Sequence, residues 1–219
     1  MGCSFHCQFC QNYEISQLGR GREVSEDELA SIMLRLQSSG CHNINFVTPT
    51  HFTPQIIKAI GVARRQGLCA PLVYNCGGYE SLETLKLLDG IIDIYMPDAK
   101  YANAEAAAGL SDAPDYPEVM KEALIEMHRQ VGDLSVEDGL AVKGLLVRHL
   151  VLPDDLADTE AVMRFIATEI SPNTYVNVMD QYRPMFRAGS VPAANRRPTA
   201  EELGRARTIA ASLGLRLAP

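Results

Sequence analysis

The chain has 219 residues, with 27 acidic against 20 basic side chains and a formal net charge of -7. Hydrophobic residues make up 47% and charged residues 21%. That balance excludes disordered and fibrous classes and predicts one domain over residues 1–219 built around one substantial core. The acidic excess argues against a nucleic-acid partner, which calls for clustered Lys and Arg. No apolar stretch approaches the roughly 20 residues of a membrane span, and no basic-then-apolar export signal opens the chain, so no membrane partner and a cytoplasmic location are expected.

In chain order, a cysteine-rich opening is followed by a helix whose start is marked by the capping-box pair Ser25 and Glu28. A strand follows at 43–48 (NINFVT), then a helix opened by Thr53 as cap and Pro54 in the first turn. Strands at 71–76 (PLVYNC), 91–96 (IIDIYM), 144–152 (GLLVRHLVL) and 174–179 (TYVNVM) alternate with helices at 81–88, 117–131 and 158–169. A second capping box, Thr199 and Glu202, opens a last helix to about residue 212, and a short strand closes the pattern at 215–217. Residues 103–115, 133–143 and 186–198 read as irregular. Near-continuous apolar strands alternating with helices predict an α/β fold with a parallel sheet and right-handed crossovers. No G-x-G-x-x-G or Walker loop follows any strand, which favours a partial (β/α) TIM-like barrel over an open nucleotide-binding sheet.

In barrels the chemistry sits at the C-terminal ends of the strands. Five predicted strand ends are polar here: Thr48, Thr50 and His51; Asn75, Gly77 and Tyr79; Asp98, Lys100 and Tyr101; Arg148; and Asp180, Gln181, Tyr182 and Arg183. Arg148 interrupts an apolar run, where a charge is costly unless paired or used. His149 alternates to the opposite face and reads as a satisfied, helix-facing histidine. Lys100 at a strand end also fits a Schiff-base lyase, a reading that leaves the cysteines without a role.

Of six cysteines, Cys41 and Cys69 read as ordinary small buried residues. Cys3, Cys7 and Cys10 stand apart as C-x3-C-x2-C, a spacing that in a chain without an export signal points to metal or redox chemistry. A zinc site needs a fourth ligand, for which His6 and His51 are the candidates, and would make the protein a zinc-stabilised binding module. Three thiolates on a four-iron cluster leave one iron open for a cofactor or substrate. Both readings stand on spacing alone, with the cluster favoured.

C-x3-C-x2-C with Phe9 just before the last cysteine resembles the cluster loop of the radical S-adenosylmethionine (SAM) superfamily. QNYEIS, TPTH, YNCGGY, DIYMPDAKY, LLVRHLVLP and MDQYRP are similar to the branch related to pyruvate formate-lyase-activating enzymes, and the resemblance runs from Gly2 to about Leu217. It implies an oxidoreductase whose 4Fe-4S cluster, fed by a one-electron donor such as flavodoxin or ferredoxin, reductively cleaves SAM to a 5′-deoxyadenosyl radical that abstracts hydrogen, for instance from a glycyl-radical protein. It further implies Cys3, Cys7 and Cys10 as metal ligands, and Phe9, Thr48, Asn75, Gly77, Asp98, Lys100 and Arg148 as cofactor-binding residues. Lys100 and Arg148 would be catalytic. The family's G-G-E is replaced by TPTH, so the cofactor amine would be held by backbone carbonyls there or by the hydroxyl of Thr48 or Thr50. A strand normally precedes the cysteine loop, so the first strand is expected to be missing or truncated.

Overall fold

The computed structural model describes residues 1–218. In chain order the elements are α1 (Tyr13–Ser16), α2 (Glu26–Ser38), β1 (Ile44–Val47), α3 (Thr53–Arg65), β2 (Leu72–Asn75), α4 (Leu82–Leu88), β3 (Ile94–Tyr95), α5 (Ala104–Ser111), α6 (Tyr116–Val131), β4 (Ser135–Glu137), β5 (Leu140–Leu150), α7 (Thr159–Phe165), β6 (Tyr175–Met179), α8 (Ala200–Ser212) and β7 (Arg216–Leu217). The sheet order is β1-β2-β3-β5-β6-β7, every pair parallel, with β4 added antiparallel to β5. Among the described residues β1 and β7 do not pair, and the strands form a partial barrel. No helix among them is long and apolar enough to cross a membrane.

The helices start where local chemistry supplies partners for the free amide groups of a first turn. Ser25 accepts from Glu28 N, and Thr199 forms the full reciprocal box with Glu202. Apolar residues of strands and helices meet in one main core, in which Leu72, Tyr74, Leu85, Tyr95, Leu124, Met127, Leu145 and Val147 are completely buried, and Val73, Ile94 and Leu134 form a smaller second cluster. Each such side chain removed from water stabilises the fold by roughly 1.5–3 kcal/mol. Every residue of β2 is buried, whereas β1 alternates because only one of its two faces is covered.

Several local expectations give way to tertiary context. Residues 104–111 are helical: Asn103 caps α5 by accepting from Glu105 N at 2.8 Å and Ala106 N at 3.1 Å, and Asp112 ends it in the left-handed region. The run AEAAAGLS has too little polar-apolar contrast to show a helical period. Residues 133–143 contain a hairpin, with Asp138 and Gly139 both at positive φ between β4 and the early part of β5. This is the Asp-Gly signature of a type I′ turn. Thr53 lies inside α3 rather than capping it, and its hydroxyl contacts the Thr50 carbonyl and the Tyr74 hydroxyl. Cys41 and Cys69, expected in the core, are exposed, because both fall in the loops that carry the chain from a helix back into the sheet.

Candidate active site

The cysteine loop lies across the C-terminal ends of the strands and is fastened at several points. His6 N and Gln8 N donate to the carbonyls of Ser111 and Leu110 at the end of α5, and Gln17 Nε2 donates to Phe5 O. From the other side, Arg187 N donates to Gln8 O, Phe9 packs edge-on against Tyr182 and Tyr13 stacks on Phe186. Phe5 seats the loop on β2. A β-carbon on Gly77 would come within 2.2 Å of its ring, so only glycine admits it. Gly77 therefore acts mainly by making room for Phe5, a residue that the sequence pattern does not single out.

Each cysteine sulfur has one hydrogen-bond partner. Phe5 N donates to Cys3 Sγ at 3.5 Å, Ser111 Oγ lies 3.1 Å from Cys7 Sγ, and Ser16 Oγ lies 3.1 Å from Cys10 Sγ. Burial pushes the thiols of Cys3 and Cys7 up as long as no metal neutralises them. Three thiols held at a partly buried mouth, each with a hydrogen-bonding group beside its sulfur, suit a cluster, whose potential hydrogen bonds to sulfur tune. They suit a zinc site poorly. His6 is exposed 3.7 Å from Asp112, and His51 Nε2 lies 3.0 Å from Met1 O. Among the described residues no three His, Cys, Asp or Glu side chains close on a single ion. The thiolates of a cubane bind different irons and need no common point.

Facing the thiols, the backbones of Asp98 and Arg148 pair in parallel just beyond β3 and inside β5, which brings their side chains onto one face. Arg148 Nη2 donates to Asp98 Oδ1 at 2.6 Å, and Lys100 Nζ donates to Asp98 Oδ2. Burial alone would raise the Asp98 carboxyl, but the charges of Lys100 and Arg148 and their hydrogen bonds outweigh it and hold it below the usual range. Lys100 is held charged against burial by the same pairing. Arg148 lines the cavity, while its Nε is buried behind the Asp98 pairing without a partner. Tyr116 of α6 pins this wall: its hydroxyl accepts from Lys100 N and contacts the carbonyls of Gly77 and Asp98.

On the β1 and β2 side, Thr48 has φ of 53°, a left-handed conformation costly for a β-branched residue. Thr50 Oγ1 donates to Glu80 Oε1 at 2.7 Å, and the Tyr74 hydroxyl donates to Glu80 Oε2 at 3.1 Å. Glu80 is 2% exposed. Desolvation pushes its carboxyl up to about 7 despite these hydrogen bonds. Its position directly after the polar strand end is the signal that could have marked it, and the local pattern leaves open that it turns inward.

All ten sequence-predicted site residues line one cavity of about 250 Å³: Cys3, Cys7, Phe9, Cys10, Thr48, Asn75, Gly77, Asp98, Lys100 and Arg148. Thr50, Cys76 and Gln181 join them, so all five polar strand ends contribute to the cavity. His51, Tyr79, Tyr101, Asp180, Tyr182 and Arg183 do not line it. The tyrosines serve as scaffold: Tyr101 is buried against Ser111, and Tyr182 donates to Ala194 O at 2.6 Å. His149 points the other way, held between Ala99 O and Thr159 Oγ1, where burial keeps it neutral.

Known proteins are similar to this chain in sequence or in fold. Uncharacterized protein MJ0674 of Methanocaldococcus jannaschii is 32% identical over 226 residues, which cover 99% of this chain and 62% of that protein. Uncharacterized protein MJ0808 of the same organism is 26% identical over 223 residues, covering 98% and 60%. The chain thus spans about three fifths of the length of these relatives. Among solved structures, a radical SAM methyltransferase from Sphaerobacter thermophilus superposes with a TM-score of 0.67 at 14% identity, covering 99% of this chain and 62% of that one. A domain of pyruvate-formate lyase-activating enzyme from Bacteroides vulgatus gives 0.58 at 14% identity, covering 80% and 97%. At such identity the likeness is one of fold, that of partial TIM barrels. The family model of the Radical SAM superfamily matches residues 1–166, from the cysteine loop through α7, and the chain belongs to that superfamily.

Proposed function

We propose that this protein is an enzyme that binds a 4Fe-4S cluster through Cys3, Cys7 and Cys10 and uses it to cleave SAM reductively for hydrogen abstraction. The observation that carries this reading is the shared cavity: three thiols face Asp98, Lys100 and Arg148 across one mouth. When bound, the cluster and SAM supply one-electron radical chemistry. The chain's own residues bind and orient. Arg148 and Lys100, which both line the cavity, present positive charge to the carboxylate of the cofactor, and Asp98 fixes both cations in place. Phe9, backed by Tyr182, forms an apolar wall that excludes water from the reacting end. Thr48 and Asn75 offer neutral polar contacts at the same mouth.

We read residues 1–219 as one catalytic domain working in the cytoplasm; all six cysteines are free, as thiols awaiting metal require a reducing compartment. A flavodoxin-like or ferredoxin-like donor fits the one-electron demand. The finer reading is activation of a glycyl-radical protein, supported by the likeness of YNCGGY, DIYMPDAKY and MDQYRP to that branch. A glycyl-radical signal appearing on a co-purified partner after incubation with protein, reductant and SAM tests it.

For the reaction itself, anaerobic reconstitution is expected to bind iron and acid-labile sulfide together, and dithionite with SAM is expected to release 5′-deoxyadenosine. Replacing Cys3, Cys7 and Cys10 together by alanine should abolish both properties. Their survival in that variant would overturn the assignment.

A further inference from the structure

Two charged groupings flank the cavity from different strands, one lining it directly and one standing behind Thr50. On the β3 and β5 side, Asp98 is paired with both Lys100 and Arg148, and the three lining side chains leave one net positive charge. On the β1 and β2 side, the buried Glu80 carboxylate accepts from the hydroxyls of Thr50 and Tyr74 and has no cation among its partners. The titratable groups that face it are Cys76 on its own loop, Tyr74 on β2, Tyr95 on β3 and Cys3 of the opposite loop; none of them carries positive charge. Thr53 of α3 adds only a neutral hydroxyl, bonded to Tyr74. A buried, unpaired carboxylate is costly to the fold, and burial pushes this one up to about 7.

Thr50 links the carboxylate to the cavity. It lines the mouth, and its only proton is committed to Glu80 at 2.7 Å. Its oxygen can therefore only accept from a ligand, and the charge behind it strengthens that acceptor. A cavity with free positive charge on one side and a committed, negatively backed acceptor on the other matches the two ends of an α-amino acid. We propose that Glu80, acting through Thr50, is the positioning residue for the amino group of the ligand's amino-acid end. This rests on the cofactor reading above, on which that end is the methionyl end of SAM. It also locates on a different strand the acidic function that TPTH lacks.

The test is equilibrium dialysis of the reconstituted protein with labelled SAM and with the SAM analogue in which hydrogen replaces the α-amino group. Glu80→Gln removes the charge at constant volume, and Thr50→Val removes the link. Each is expected to weaken SAM binding about tenfold or more and to change binding of the analogue by less than about twofold. The melting temperature of Glu80→Gln should not fall, because a buried charge has been removed rather than a structural contact. Equal losses for both ligands, or a melting temperature that falls with them, would make Glu80 structural and overturn the proposal. Wild-type protein that binds SAM, with both variants binding it equally well, would overturn this proposal alone. Wild-type protein that binds neither ligand would overturn the cofactor reading and this assignment with it.

Discussion

Asp98 lines the cavity and Glu80 stands behind its wall at Thr50, and the surroundings of these two buried carboxyl groups push them in opposite directions. Asp98 is held low because two cations outweigh its burial, so its contribution to stability is present above the usual carboxylate range and is lost as pH falls through it. Asp98→Asn strips both Lys100 and Arg148 of their partner and is expected to cost about 3 kcal/mol, read as a lower urea midpoint at pH 7. Glu80 is the reverse case. An acid raised from 4.5 to about 7 stabilises the fold when protonated and progressively less as pH rises through that window. At about 1.4 kcal/mol per pH unit, the loss approaches the order of 3 kcal/mol by pH 8. Wild-type stability measured against Glu80→Gln from pH 4 to pH 8 should therefore decline by that order, and a flat difference would refute the raised carboxyl. Asp98, Lys100 and Arg148 were legible in the sequence because a charge beside or inside an apolar strand announces itself. Glu80 was not, because its inward turn depends on Thr50 and Tyr74, the former 30 residues away.

At the scale of elements, the cysteine loop has no regular structure of its own and borrows its shape from its neighbours. Ser111 at the end of α5 and Ser16 at the end of α1 sit against two of its sulfurs, while Gly77 beyond β2 admits Phe5. Gly77→Ala should force Phe5 and the loop outward. Destabilisation of about 1–3 kcal/mol is expected, together with reduced iron and sulfide after reconstitution, with Gly109→Ala as an open-space control. The helix α5 that anchors Gln8 depends in turn on the Asn103 cap. Asn103→Ala should lower stability by about 1 kcal/mol, measurable by thermal denaturation. The helices with strong caps and clear periodicity were readable from sequence. This one was not, since small residues bury well without producing a period and its stability comes from packing on α6. The hairpin of β4 and β5 carries an Asp-Gly turn signal, but β4 is three exposed residues long and has no apolar alternation to mark it as a strand.

Over the whole molecule, burial separates the six thiols. Cys41 and Cys69 are exposed, Cys7 and Cys76 are buried, and Cys3 and Cys10 lie between. A thiol reagent added to native, metal-free protein should label Cys41 and Cys69 first and Cys76 only on unfolding, as followed by peptide mass analysis; early labelling of Cys76 would contradict the packing of the β2 strand end. The sequence by itself determined the alternation of strands and helices, the three-cysteine loop and the row of polar strand ends. Periodicity, capping and ligand spacing are local properties, written within a few residues of one another. Only the tertiary structure decided that β1 forms an open edge, that Phe5 fills the space over Gly77, that Cys7 meets Ser111 across 104 positions and that Glu80 stands behind Thr50. Each of these depends on which distant element covers a given face, and burial, with the cost or support it gives a charge, exists only once that cover is in place.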